Sequence, residues 1–205
     1  MFPPESLISA PDGGEPLVDL AVAIAGLKLD IRYARADNFL GRAVYGMPDA
    51  YLRHSAAQAF ATAHHALLPL GYGLLVWDAY RPLSVQRLMW EMLPDSNFVA
   101  PPERGSNHNR AAAVDVALVH VPDGQPARMP TDFDYFTERA RPDFQDLTAE
   151  ERHHRDLLAR VMIDAGFTTI TTEWWHFNAP QARGHGLLDV SFEELRRAHA
   201  NNAVR

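Results

Sequence analysis

The sequence predicts one domain that mixes helices and strands. Two apolar runs, Leu74–Tyr80 and Ala113–Val121, carry the β-branched and aromatic composition of buried strands. Two other stretches, residues 50–68 and 148–165, space their apolar residues by three and four, which is the helical period. At 205 residues and 47% hydrophobic content the chain is long enough for one sizeable core. No internal repeat and no linker divides it, so residues 1–205 are expected to form a single domain.

Residues 1–16 hold four prolines and paired glycines and read as an irregular leader. Val18 to Asp30 is apolar and suits a strand or a short helix. Residues 31–41 mix aromatic and charged side chains with no clean period. In the helix predicted over 50–68, Leu52, Ala56, Ala59, Phe60, Ala63 and Leu67 form one stripe, and Pro69 and Gly71 end it. His64 and His65 lie beside the stripe and are expected to be solvated or capping. After the strand at 74–80, Arg81-Pro82 stops the ladder, and Ser84 is expected to cap a helix running to about Leu93. Arg81 thus sits between two ordered elements. It either points into a cleft or pairs with a structural carboxylate, and spacing favours neither.

Pro94 to Asn107 reads as a loop. Asp115 lies early in the strand that follows, where a buried acid needs a metal or an ion-pair partner. Pro122 to Leu147 is a long irregular segment, of the kind that often serves as a lid or binding loop, with Phe133-Asp134-Tyr135-Phe136 available to pin it. Thr148-Ala149-Glu150-Glu151 is a capping box opening a helix to Ala165, and Gly166 is its stop. His153 and His154 fall in its polar half and are expected to be solvated. Phe167 to Thr172 is strand-like. Ser191-Phe192-Glu193-Glu194 is a second capping box, for a short C-terminal helix.

Twenty-six acids against nineteen bases give a formal charge of −7, which argues against a nucleic-acid or anionic-membrane partner. With no cysteine, disulfides, thiolate metal sites and a cysteine nucleophile are all excluded. The N-terminus lacks the basic flank and apolar run of a secretory signal, and no stretch reaches membrane-spanning length, so a cytoplasmic protein is expected. A homodimer is the one protein partner left open.

Two stretches concentrate the chemistry. Ser106 to Asp115 contains His108 and ends on Asp115; Glu173-Trp174-Trp175-His176 follows some sixty residues later. They offer two imidazoles, a carboxylate, and a second carboxylate close by. A catalytic zinc site has three such ligands, an open fourth position, and a base that is not a ligand. His108 and Asp115 are seven positions apart, and Glu173 and His176 are three apart. On regular strands both pairs would face opposite ways, so a turn or twist must intervene. The paired tryptophans are expected to pack the core around the site.

These motifs resemble those of a known family. Ser106-x-His108-(x)6-Asp115 with Glu173-Trp174-Trp175-His176 looks like the zinc signature of D-alanyl-D-alanine dipeptidases of the VanX type, in peptidase family M15. Arg32–Phe39, Trp77-Asp78-Ala79-Tyr80-Arg81-Pro82, Phe133-Asp134-x-Phe136 and Ala165-Gly166-Phe167 resemble further family motifs, in the same order, across residues 20 to 180. The resemblance implies an α+β domain with a central, mainly antiparallel sheet flanked by helices, the hedgehog-like zinc D,D-peptidase fold. It implies one Zn²⁺ per chain on His108, Asp115 and His176. Glu173 would be the general base, Arg81 would stabilise the transition state, and Tyr33, Ser106 and Asp134 would surround a small D,D-dipeptide. Where the family has a glycine, this chain has Ala111; if that position needs positive φ, alanine costs stability or shifts His108. Two rival readings are a D,D-carboxypeptidase or peptidoglycan endopeptidase working on longer peptides, and a zinc-holding module without turnover. Glu173 and Arg81 argue against the second, because a binder needs no base.

Overall fold

The structure, a computed structural model, describes residues 1–202. Its central sheet runs in the order β3 (Lys28–Leu29), β5 (Tyr72–Asp78), β6 (Ala113–His120), β8 (His176–Asn178), β7 (Thr168–Thr169). Only the β3–β5 pair is parallel, so the sheet is mainly antiparallel, as expected. Strands β5 and β6 are buried almost throughout, which is why they read as continuous apolar runs rather than alternating ones. Helices α2 (His54–Leu67) and α4 (Ala149–Asp164) pack against each other and onto these strands.

A second, smaller sheet was not foreseen. Here β1 (Leu7–Ile8), β2 (Leu17–Asp19) and β4 (Tyr51–Arg53) pair antiparallel. This corrects the leader at 1–16: Leu7 and Ile8 are in a ladder, and Ile8 is fully buried. Asp12 also forms an ion pair with the fully buried Arg53. A two-residue strand leaves no alternation to read, and its partners lie elsewhere in the chain. The apolar stretch after it contains both elements that suited it, β2 and the short helix α1 (Leu20–Ala23), which Asp19 caps through the N–H groups of Ala21 and Val22.

The same pairing delays the first long helix. Leu52 belongs to β4, and α2 starts at His54 rather than at residue 50. His64 is fully buried, not solvated: its Nδ1 accepts from the Leu74 N–H and ties α2 to β5. His65 is exposed, as expected. Helix α3 (Leu83–Met92) has Pro82 at its cap position, and Ser84 lies inside the first turn. The carboxylate that meets the Ser84 N–H, at 2.7 Å, comes from Asp189, far along the chain.

Helix α4 has the predicted capping box of Thr148 and Glu151. It ends in a Schellman turn: Gly166, at φ 98°, donates to Ile163 O, and Phe167 donates to Met162 O. His154 is another correction. It is buried, with Nδ1 at 2.9 Å from Arg128 O and Nε2 at 3.1 Å from Tyr72 Oη, while His153 is exposed as predicted. Only Thr168–Thr169 of the strand-like 167–172 joins the sheet. The Ser191–Glu194 box opens helix α5 (Phe192–Asn202), and Phe192 packs against Tyr45, Tyr51 and Tyr80. The long segment 122–147 is held by Phe133, which is buried, and by Arg139, which pairs with Glu151 and donates to Pro130 O. Tyr135, in the same tetrapeptide as Phe133, is exposed and pins nothing.

Candidate metal centre and active site

One rung of the central sheet builds the site. Asp78 on β5 stands opposite Asp115 on β6, and Asp115 stands opposite His176 on β8. The register of β5 slips between Val76 and Asp78, which brings Asp78 onto that rung. His108 arrives from outside the sheet, on a 3-10 turn at His108–Arg110. The turn closes at Ala111, which is left-handed (φ 53°, ψ 39°). That reversal removes the parity conflict between His108 and Asp115. Glu173 precedes β8 in a loop, so strand alternation does not govern it either.

Donor atoms of three side chains then converge, with Asp115 turning one oxygen to each imidazole. His108 Nε2 lies 3.2 Å from His176 Nδ1 and 3.4 Å from Asp115 Oδ2, and His176 Nδ1 lies 3.0 Å from Asp115 Oδ1. Ligands at zinc's usual bond lengths of about 2.0–2.2 Å in a tetrahedron sit roughly 3.3 Å apart, so the triangle has the size of one tetrahedral face. The far nitrogen of each ring is fixed. His108 Nδ1 meets Ala79 O at 2.6 Å, and His176 Nε2 meets Asn178 Oδ1 at 3.0 Å. With those nitrogens donating, the lone pairs of His108 Nε2 and His176 Nδ1 face Asp115, the arrangement that metal-binding imidazoles need. Burial pushes Asp115 up, but His108 and His176 more than offset it and hold the carboxyl well below the usual range. Burial alone would lower His108, yet Asp115 and Asp78 raise it: the site attracts positive charge. The donor set therefore fits a divalent metal ion.

The other predicted residues line the same cavity, of about 570 Å³. Burial and the nearby Asp115 raise the Asp134 carboxyl to about 8. Tyr33 donates to it at 3.1 and 3.3 Å. Asp134 is also left-handed (φ 58°), a conformation that aspartate tolerates better than most residues. Glu173 is likewise raised to about 8, by burial first; His176 opposes that shift, and Asp115 and Asp134 add to it. Neither Glu173 nor Asp134 has an ion-pair partner among the described residues. Ser106 Oγ accepts the His108 N–H, which leaves its own hydrogen to donate.

Arg81 does both things that its position allowed. It lines the cavity, and it pairs with Asp78 through Nε (3.1 Å) and Nη2 (2.7 Å), while Nη1 donates to Gln86. Its guanidinium also sits over the Tyr33 ring, at 5.2 Å. Asp78 is the residue that the sequence reading passed over. It is fully buried, and it accepts from Tyr45 Oη, from the Ala79 N–H and from Arg81. A fully apolar run ending in an acid just before an arginine was the available signal. Trp174 and Trp175 are buried, as expected; Trp174 Nε1 donates to Thr131, and its N–H to Ala140 O, clamping the long loop onto the His176 segment.

The chain is similar to known proteins over most of its length. A family model described as D-ala-D-ala dipeptidase matches residues 14–201. The chain is 36% identical over 176 residues to the D-alanyl-D-alanine dipeptidase of Escherichia coli, covering 86% of this chain and 91% of that one. It is 32% identical over 173 residues to the D-alanyl-D-alanine dipeptidase of Enterococcus faecalis, covering 74% and 85%. Among solved structures, an LD-carboxypeptidase, LdcB, aligns with 97% of this chain and 83% of its own at 17% identity, with a TM-score of 0.45.

Proposed function

This chain belongs to the D-alanyl-D-alanine dipeptidase family, and from that premise we propose that it is a zinc enzyme that cleaves a free D,D-dipeptide into two amino acids. The observation that carries the reading is the His108–Asp115–His176 triangle opening into a cavity that also holds two unpaired carboxyls, Glu173 and Asp134. His108, Asp115 and His176 would hold the ion, which when bound supplies a Lewis acid and a water of lowered pKa.

The protein's own groups supply the rest. Glu173 takes the proton from the attacking water and passes it to the leaving amine. A carboxyl raised toward neutrality can do both. Arg81 keeps one N–H on each terminal nitrogen beyond its bonds to Asp78 and Gln86, and these face charge developing on the peptide oxygen. Because Asp78 and Gln86 hold the guanidinium, it needs little reorganisation.

Asp134, supported by Tyr33, is the partner for the substrate's ammonium group. The Ser106 hydroxyl meets its carboxylate. An acylated or longer peptide replaces the ammonium with a neutral amide and leaves Asp134 without a counter-charge. A desolvated group left unpaired costs several kcal/mol, so discrimination of ~10³ is within reach.

The test is kcat/KM of zinc-loaded protein for D-Ala-D-Ala, N-acetyl-D-Ala-D-Ala and L-Ala-L-Ala. The first should exceed the second by about three orders of magnitude, and Asp134→Ala should narrow the gap. Equal values for the free and acetylated peptides would favour the carboxypeptidase reading.

A further inference from the structure

Beyond the residues already assigned, the charged groups on the cavity lining are all basic. Arg104, Arg110 and Arg183 all border it, in a protein whose net charge is −7. Arg110 joins the two segments that carry the others: Nη1 donates to His185 O and Nη2 to Arg104 O. The segments are also packed together, since Gly105 (φ 68°) abuts Leu187 so closely that a Cβ there would collide with it. Arg104 and Arg183 therefore project from a braced rim. Neither pairs with a carboxylate among the described residues, and both are exposed. Arg104 lies two residues before Ser106, which puts the rim on the side proposed for the substrate carboxylate.

Resting on the dipeptidase reading, we propose that Arg104 and Arg183 form a side-chain subsite for the second residue of the dipeptide, selective for a carboxylate there. The polarity of the cavity fits such a substrate. Asp134 lies where the ammonium would sit, and the arginines supply positive charge where a second anion would lie. A cavity serving only D-Ala-D-Ala needs no cationic rim beyond the α-carboxylate.

The deciding comparison is D-Ala-D-Glu against its neutral isostere D-Ala-D-Gln, with D-Ala-D-Ala as reference, on zinc-loaded full-length protein. Two exposed ion pairs predict a D-Glu to D-Gln ratio in kcat/KM of about 2- to 30-fold, shrinking as salt is added. In the Arg104→Gln/Arg183→Gln double variant the ratio should fall to about one, while D-Ala-D-Ala turnover stays within a few-fold. A wild-type ratio of one or less overturns the proposal. So does an unchanged ratio in the double variant, or a loss on D-Ala-D-Ala equal to that on D-Ala-D-Glu, which would make the rim a guide for any carboxylate. Calorimetric Kd values for D-Ala-D-Glu and D-Ala-D-Gln on the zinc-loaded Glu173→Gln variant separate this proposal from the reaction it rests on. A D-Glu preference in that variant, with a wild type that hydrolyses no dipeptide, keeps the subsite and sinks the reaction; wild-type hydrolysis with no preference in the variant does the reverse.

Discussion

Asp78 and Asp115 stand directly opposite each other on neighbouring antiparallel strands, a pairing that repulsion between like charges disfavours. Each carboxylate is neutralised from a different side. Arg81 takes Asp78, and Asp115 faces His108 and His176, where a bound cation would balance it. The His108 ring lies between them, 3.6 Å from Asp78 through Nδ1 and 3.4 Å from Asp115 through Nε2. Arg81, proposed to meet the oxyanion, and the proposed metal ligands thus share one electrostatic frame. Removing one partner of a buried ion pair typically costs about 3–5 kcal/mol. Asp78→Ala should destabilise the protein by that order in urea denaturation, and it should lower kcat by releasing Arg81. A loss below about 1 kcal/mol would mean that Asp78 is not the anchor of Arg81.

Ligand and base should separate by substitution. His176→Ala is expected to lose metal and activity together, as measured by elemental analysis and turnover. Glu173→Ala is expected to keep its metal and lose turnover, because no atom of Glu173 belongs to the three-donor triangle. A metal-free Glu173→Ala protein would reassign that residue as a ligand.

Arg81→Ala is expected to lower kcat by about 10²–10³, the usual worth of an oxyanion donor, with zinc content maintained. Activity within a few-fold of wild type would leave Arg81 with only its structural bond to Asp78.

The raised carboxyls make stability depend on pH in the metal-free protein. A carboxyl whose folded pKa lies above its unfolded value contributes stability that is fully present below the unfolded pKa and lost as pH rises through the folded one. For Glu173 the window runs from its ordinary value of 4.5 to about 8, and for Asp134 from 3.8 to about 8. The Tm of chelator-treated protein should therefore fall across this range, less steeply in Glu173→Gln than in wild type. Bound metal should flatten the wild-type curve, because a cation favours the charged carboxylate. Parallel wild-type and Glu173→Gln curves would show that Glu173 is not buried as its surroundings imply.

Much of this was legible locally. Capping boxes at Thr148 and Ser191, the Gly166 stop and the two long strands are written in adjacent residues, and each formed. What was illegible depended on partners far away. Ser84 cannot reveal that Asp189 caps its helix, and Leu7–Ile8 cannot reveal that Leu17 and Val18 complete their ladder. His64 and His154 look solvated on a helical wheel, yet each is buried by one bond to β5. The proposed metal ligands lay between these extremes. Their spacing was ambiguous, and the family motifs decided which residues to join.

Ala111 brings sequence and site together. It occupies a left-handed position with its methyl fully buried, and it closes the turn that aims His108. Its N–H bonds to His108 O, and its carbonyl accepts from Arg53. A left-handed alanine costs about 1–2 kcal/mol, which Ala111→Gly would relieve. The same change adds roughly 0.4–1 kcal/mol of unfolded-chain entropy and gives up about 0.8 kcal/mol of methyl burial. The terms nearly cancel, so Ala111→Gly should shift stability by less than about 1 kcal/mol and leave zinc content unchanged. Ala111→Val should behave differently, because a β-branched side chain is a true outlier at positive φ and the site is already filled. It is expected to weaken zinc affinity by displacing His108, read by competition with a chelator. An Ala111→Val protein that holds zinc as tightly as wild type would show that the turn does not set the position of His108.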